Sequence, residues 1–179
     1  VVDSVNNRVQ RFSAAGAFLS KFGSAGSGAG QLSTPTGIAI DQGDGSIYVY
    51  DQGNRRVAKY DAAGGFLFAV GAGVADGLTD ALQTCTTICF QGLSSVAEGG
   101  FATTTAAPGL AVAPQGSPDA GDLFVADPAN NRVQQLEAPG IAGPAAFVAK
   151  VGASGTGNGQ FGASSPTRVA VDKAGRLYA

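Results

Sequence analysis

The strongest constraint on the fold is a pattern that occurs three times, D-x-x-N-[NR]-R-V-x-x-[FYL]. It reads Asp3–Phe12, then Asp51–Tyr60, then Asp127–Leu136. Self-similarity at a roughly fixed spacing marks a chain built from stacked units, none of which buries its own faces alone. A second segment comes just before this pattern. Gly37-Ile-Ala-Ile-Asp41 leads to Ser46-Ile-Tyr-Val-Tyr-Asp51, and Gly109-Leu-Ala-Val-Ala113 leads to Asp122-Leu-Phe-Val-Ala-Asp127. A further copy, Arg168-Val-Ala-Val-Asp172, leads to Arg176-Leu-Tyr-Ala179.

A third segment follows the pattern, as Gly16–Gly23, Gly64–Gly71 and Ala146–Gly152. The linkers Gly26–Leu32 and Gly155–Phe161 match each other and run on to Pro35 and Pro166. Each unit therefore holds four short apolar or alternating runs separated by Gly, Asp, Asn or Pro. Runs of this length rich in Val, Ile, Tyr and Phe are strands. Ile-Ala-Ile and Leu-Ala-Val set a small Ala between bulky residues, which suits an inner strand where space tapers. Ile47–Tyr50 is apolar on both faces, as in a strand covered on both sides. The fourth run is more mixed and reads as an outer edge.

The expected class is all-β. It is a β-propeller of four-stranded antiparallel blades, with about three blades, half of a six-bladed ring. The expected division is a first blade over 1–32, a second over 35–71, an insertion over 72–107, a third blade over 108–152 and a partial blade over 166–179. A solenoid of sheets is the alternative architecture.

Composition narrows the function classes. Hydrophobic residues make up 44% of the 179, so the chain can build a core, while charged residues make up only 13%. The net charge is −2, with 11 Lys and Arg against 13 Asp and Glu. Clustered basic residues, which a nucleic-acid surface needs, are not supplied, so no nucleic-acid partner is expected. No apolar run approaches the ~20 residues of a membrane span. His is absent, which excludes Ser-His-Asp and Cys-His catalysis within the chain and removes the commonest metal ligand. No catalytic residue, metal or cofactor is expected.

The motifs G-[IL]-A-[VI]-D, [IL]-[YF]-V-x-D, N-x-R-V and G-x-[FL]-L-x-x-[FV]-G resemble the NHL repeat over nearly the whole chain. That resemblance implies a β-propeller, typically of six blades. Ala113 in place of Asp and Arg168 in place of Gly depart from it. Related six-bladed propellers include an amidating lyase and lactonase-like hydrolases. The lyase resemblance implies a metal held by His, which this chain lacks. A lactonase-like site would use carboxylates such as Asp41 and Asp172 around a divalent ion, completed by a missing half or a partner chain.

The repeated Asp3, Asp51 and Asp127 end second strands, where an Asp can accept hydrogen bonds from the following turn. Arg8, Arg56 and Arg132 lie at a fixed offset and could bond carbonyls or a neighbouring Asp. Repetition in every unit favours an architectural role over a ring of Arg around a ligand. Cys85 and Cys89 lie in the insertion. Their spacing suits neither zinc nor a redox pair, so a local disulfide is expected, with an extracellular or cell-envelope location.

The ends also match. Tyr178-Ala179 joined to Val2-Asp3 would recreate Tyr48–Asp51. Either the chain is a piece of a longer propeller, or two chains complete one another in a six-bladed homodimeric ring. The expected function is a non-catalytic scaffold that binds a protein or small ligand on its loop face. Asn6, Arg55, Asn130 and Arg168 are the candidate ligand-binding residues there.

Overall fold

The structure is a computed structural model and describes residues 1–137 and 145–179. The range 108–152 expected for the third blade thus includes positions, 138–144, that lie outside the described residues. The first sheet consists of β1 (Val2–Asp3), β2 (Arg8–Phe12) and β3 (Phe18–Phe22). The second runs in order through β4 (Pro35–Ile40), β5 (Ile47–Asp51), β6 (Arg56–Tyr60), β7 (Phe66–Ala72) and β8 (Leu82–Cys85). The third holds β9 (Leu110–Val112), β10 (Leu123–Asp127), β11 (Arg132–Glu137) and β12 (Ala146–Val151). The last pair is β13 (Ala170–Val171) and β14 (Leu177–Tyr178). Neighbouring strands within each sheet are antiparallel. These are the blades of a β-propeller.

The pleat of β5 explains how the blades stack. Ile47 and Val49 point into a cluster with Val9, Leu32 and Tyr60, on the side of the first sheet. Tyr48 and Tyr50 point the other way, into a cluster with Phe101, Leu110, Leu123 and Val125 of the third. All five residues of β5 are buried, as a strand covered on both faces requires. A third cluster joins Phe124 and Val133 to Val171 and Leu177 of the last pair.

Close approach of the inner strands depends on glycine. A Cβ on Gly37 would lie 2.5 Å from the Pro108 carbonyl oxygen, and one on Gly109 would lie 3.1 Å from that of Thr167. Arg168 holds the equivalent place in the last pair, which is the departure noted in the sequence.

The 72–107 segment has internal order. β8 pairs with β7 and adds a fifth strand to the second blade, and this outer strand helps bury β7 from Phe68 to Ala72. Cys85 and Cys89 are joined by a disulfide, Cα atoms 5.4 Å apart. Further on, Ser94 and Phe101 form a parallel bridge, as do Ala25 with Leu32 and Ser154 with Phe161. Residues 94–101 are therefore a third copy of the Gly-rich linker. Its sequence hides this, because Gly100 stands where the other copies have Gln31 and Gln160.

Candidate functional site

The D-x-x-N-[NR]-R motif builds a tight corner. A 3-10 turn covers Gln52–Asn54 in the second blade and Pro128–Asn130 in the third. The next residue is left-handed, with φ of 52° at Asn7, 49° at Arg55 and 50° at Asn131. Asn tolerates that conformation better than most residues. The corner brings Asp, Asn and Arg of one blade into contact.

In the third blade, Arg132 Nε donates to Asp127 Oδ2 at 2.8 Å. Its Nη1 donates to the carbonyl of Val96 (2.9 Å) and its Nη2 to those of Ala97 (2.7 Å) and Gly100 (3.0 Å). Asn130 donates to Asp127 and to the Ser95 carbonyl. Gln134 donates to the Gly100 carbonyl and to Asp127 and accepts from the Gly99 N–H. In the second blade, Arg56 Nε binds Asp51 at 2.9 Å, and its other nitrogens bind the Ser27, Gly28, Gln31 and Phe90 carbonyls. Asn54 binds Asp51 and the Gly26 carbonyl. Each arginine thus pairs with the Asp of its own blade and grips the main chain of the linker that enters the blade. The guanidinium supplies several donors in one plane, which a lysine could not. The two latches are sealed: Arg56 and Asp51 are 0% exposed, Arg132 and Asp127 7% and 1%.

The first blade carries the same cradle in the open. Asn6, Arg8 and Gln10 all donate to Asp3, yet the Arg8 and Asp3 side chains are 30% and 19% exposed. Among the described residues no carbonyl meets the outer nitrogens of Arg8. Burial pushes the Asp51 and Asp127 carboxyls above their usual range, against the pull of their Arg and Asn donors. The Arg8 hydrogen bond holds Asp3 below it.

Of the four candidate ligand-binding residues, Asn6 and Asn130 belong to these cradles. Arg55 donates to the Gly92 carbonyl at 2.7 Å. Arg168 donates to the Ala107 carbonyl at 2.9 Å and, with Gly37 and Gly109, lines a shallow hollow of about 210 Å3 by the inner strands. No contact among the described residues joins the four in one pocket. Asp41 and Asp172 each cap a turn, accepting from the Gly43 N–H and from the Ala174 and Arg176 N–H groups respectively.

The insertion presents a different surface. Asp76 ties it together by accepting from the Leu78 and Thr79 N–H groups, the Thr79 hydroxyl and Gln83. On this frame Leu78, Ile88 and Phe90 are 83%, 72% and 43% exposed. Phe90 lies against Gly77, next to Leu78. Strand alternation carries no signal for these three exposed apolar residues, because they lie on turns and irregular segments rather than on a strand.

A family model described as a 6-bladed beta-propeller matches residues 1–69, from the first sheet into β7 of the second. No curated protein matches the sequence.

Proposed function

We propose that the chain is a non-catalytic NHL-type β-propeller scaffold of the extracellular space or cell envelope, with a protein-binding surface on its insertion. The observation that carries this reading is the exposure of Leu78, Ile88 and Phe90 on one insertion, held by a disulfide and by Asp76. Solvent-facing apolar side chains on a rigid frame lose little entropy when a partner covers them. The disulfide supports an oxidising compartment. The repeated polar residues favour a scaffold over an enzyme, since Asp51, Arg56, Asp127 and Arg132 are consumed by packing between blades. A second partner is another copy of the chain, in a six-bladed ring.

Selection of a random peptide library against the whole chain tests the binding surface. Apolar peptides should be recovered, and their binding should be lost in a Leu78→Ser/Ile88→Ser variant. Recovery of none, or of peptides that bind both proteins alike, refutes the reading. Turnover of a panel of lactones above the buffer rate would replace it with a lactonase-like hydrolase.

A further inference from the structure

The register of the second blade sets a group of polar side chains on the side that faces the third. Ala39, Tyr48, Lys59 and Phe68 stand opposite one another across β4, β5, β6 and β7. Tyr48 and Phe68 share a cluster with Leu123 and Leu136, so this row faces the third blade. The Asp41 N–H donates to the Ser46 carbonyl at 2.9 Å, which carries the ladder one step further. Side chains two residues apart on a strand share a face. Asp41 and Ser46 therefore lie beside Ala39 and Tyr48 on the same side.

These groups are buried, and their hydrogen bonds are incomplete. Tyr48 and Ser46 are 1% and 2% exposed, and neither hydroxyl has a hydrogen-bond partner. Asp41, also buried, takes the Gly43 N–H on one oxygen, and among the described residues nothing donates to the other. The Lys59 ammonium lies over the Tyr48 and Phe68 rings at 4.9 and 5.7 Å. It meets Asp44 only at 3.7 Å, too long for a direct hydrogen bond. Burial, and after it the charges of Asp41, Asp44 and Asp122, push the Tyr48 hydroxyl above its usual range. It therefore keeps its proton as a donor.

The equivalent positions in the other units satisfy one another directly. In the third blade they are Ala113, Asp122, Phe124 and Gln135, and Gln135 donates to Asp122 at 2.7 Å. In the last pair, Arg176 and Tyr178 both donate to Asp172, at 2.7 and 3.2 Å. Tyr48 and Asp41 hold the places of Tyr178 and Asp172 but share no bond. Buried hydroxyls without a partner are rare, and a polar contact longer than a hydrogen bond is a place for a bridging water.

We propose that the junction of the second and third blades is a binding site for ordered water, which joins Tyr48 and Ser46 to Asp41 and Lys59. Both sides of this junction are strands of this chain, β5 with β6 and β10 with β11. A buried water makes about three hydrogen bonds. The site offers the Tyr48 hydroxyl and the Lys59 ammonium as donors, the second Asp41 oxygen as acceptor, and the Ser46 hydroxyl as either. The Asp44 side chain is half exposed, which places the way in from solvent beside Lys59. The ligand is water rather than a metal ion. Lys59 already supplies positive charge there, and among the described residues no group of carboxylates could hold a metal.

Tyr48→Phe tests the site, because it removes the hydroxyl and keeps the ring. An unpartnered buried hydroxyl costs stability, so losing one leaves the urea midpoint unchanged or raises it. A bridged hydroxyl contributes, so the midpoint should fall for Tyr48→Phe and for Ser46→Ala. A crystal structure of the whole chain should show water within hydrogen-bond distance of Tyr48 and Asp41. An unchanged or raised midpoint for either variant overturns the proposal. So does a crystal structure in which Tyr48 bonds Asp41 directly, as Tyr178 bonds Asp172, or in which no water reaches Tyr48. Peptide capture at Leu78 and Ile88 is unaffected by such a failure, so the two readings fall separately.

Discussion

Replacing Arg56 with Ala tests the latch most directly. The side chain is 0% exposed, as is its partner Asp51, and its nitrogens meet one carboxylate oxygen and four carbonyls between 2.6 and 3.2 Å. Removing one member of a buried ion pair costs about 3–5 kcal/mol, because the remaining charge is left without a partner. Each stranded carbonyl adds about 1–3 kcal/mol where water cannot reach it. These costs overlap, so the expected loss is about 4 kcal/mol or more, out of a typical ~5–15 kcal/mol for a folded domain. At ~2–4 °C per kcal/mol, melting should fall by about 8–16 °C. Urea titration followed by circular dichroism measures the loss. Arg56→Lys keeps the charge but not the fork, and should recover only part of it. Arg132→Ala should behave like Arg56→Ala. Arg8→Ala should have a small fraction of their effect, because Arg8 and Asp3 are 30% and 19% exposed. A loss below ~1 kcal/mol for Arg56→Ala, the scale of a surface ion pair, would refute the latch.

Alkylation of the folded protein without reductant should label neither Cys85 nor Cys89. Cys85→Ser/Cys89→Ser should cost about 2 kcal/mol on the loop-entropy estimate, because the closed loop is short. Gly37→Ala should destabilise by about 1–3 kcal/mol, since its methyl meets the Pro108 carbonyl and the backbone must move; unchanged urea unfolding would show that the inner strands are less closely packed than described. The carboxyls of Asp61, Asp76 and Asp172 are held below their usual range, chiefly by hydrogen bonds from Gly65, Thr79 and Arg176 respectively. A lowered folded pKa gives stability that is complete above the unfolded value and lost as pH falls through the folded one. Melting temperature should therefore be insensitive to these groups above about pH 4 and fall below it. Asp61→Asn should flatten part of that fall.

Much of the candidate site was legible in the sequence, but its purpose was not. Asp51, Arg56, Asp127 and Arg132 stood out because they recur at fixed offsets, and recurrence suggested architecture. Asn6 and Asn130 were set apart as ligand-facing, yet they complete the same cradles. Position in a loop could not reveal that, because the carboxylate each one binds is its own blade's. The exposed Leu78, Ile88 and Phe90 had no periodicity to find.

The sequence by itself determined the repeat, the strands, the all-β class and the pairing of the only two cysteines. These follow from local chemistry: side-chain alternation, turn residues and spacing along the chain. Only the tertiary structure decided what the arginines hold. Their acceptors are main-chain carbonyls of another segment, and every residue has a carbonyl, so no letter in the sequence marks the ones that are gripped. For the same reason 94–101 was recognised as a linker only from its parallel bridge. There Gln134 reaches across from the strand to the Gly99 N–H, and the linker itself carries Gly100 in place of a glutamine.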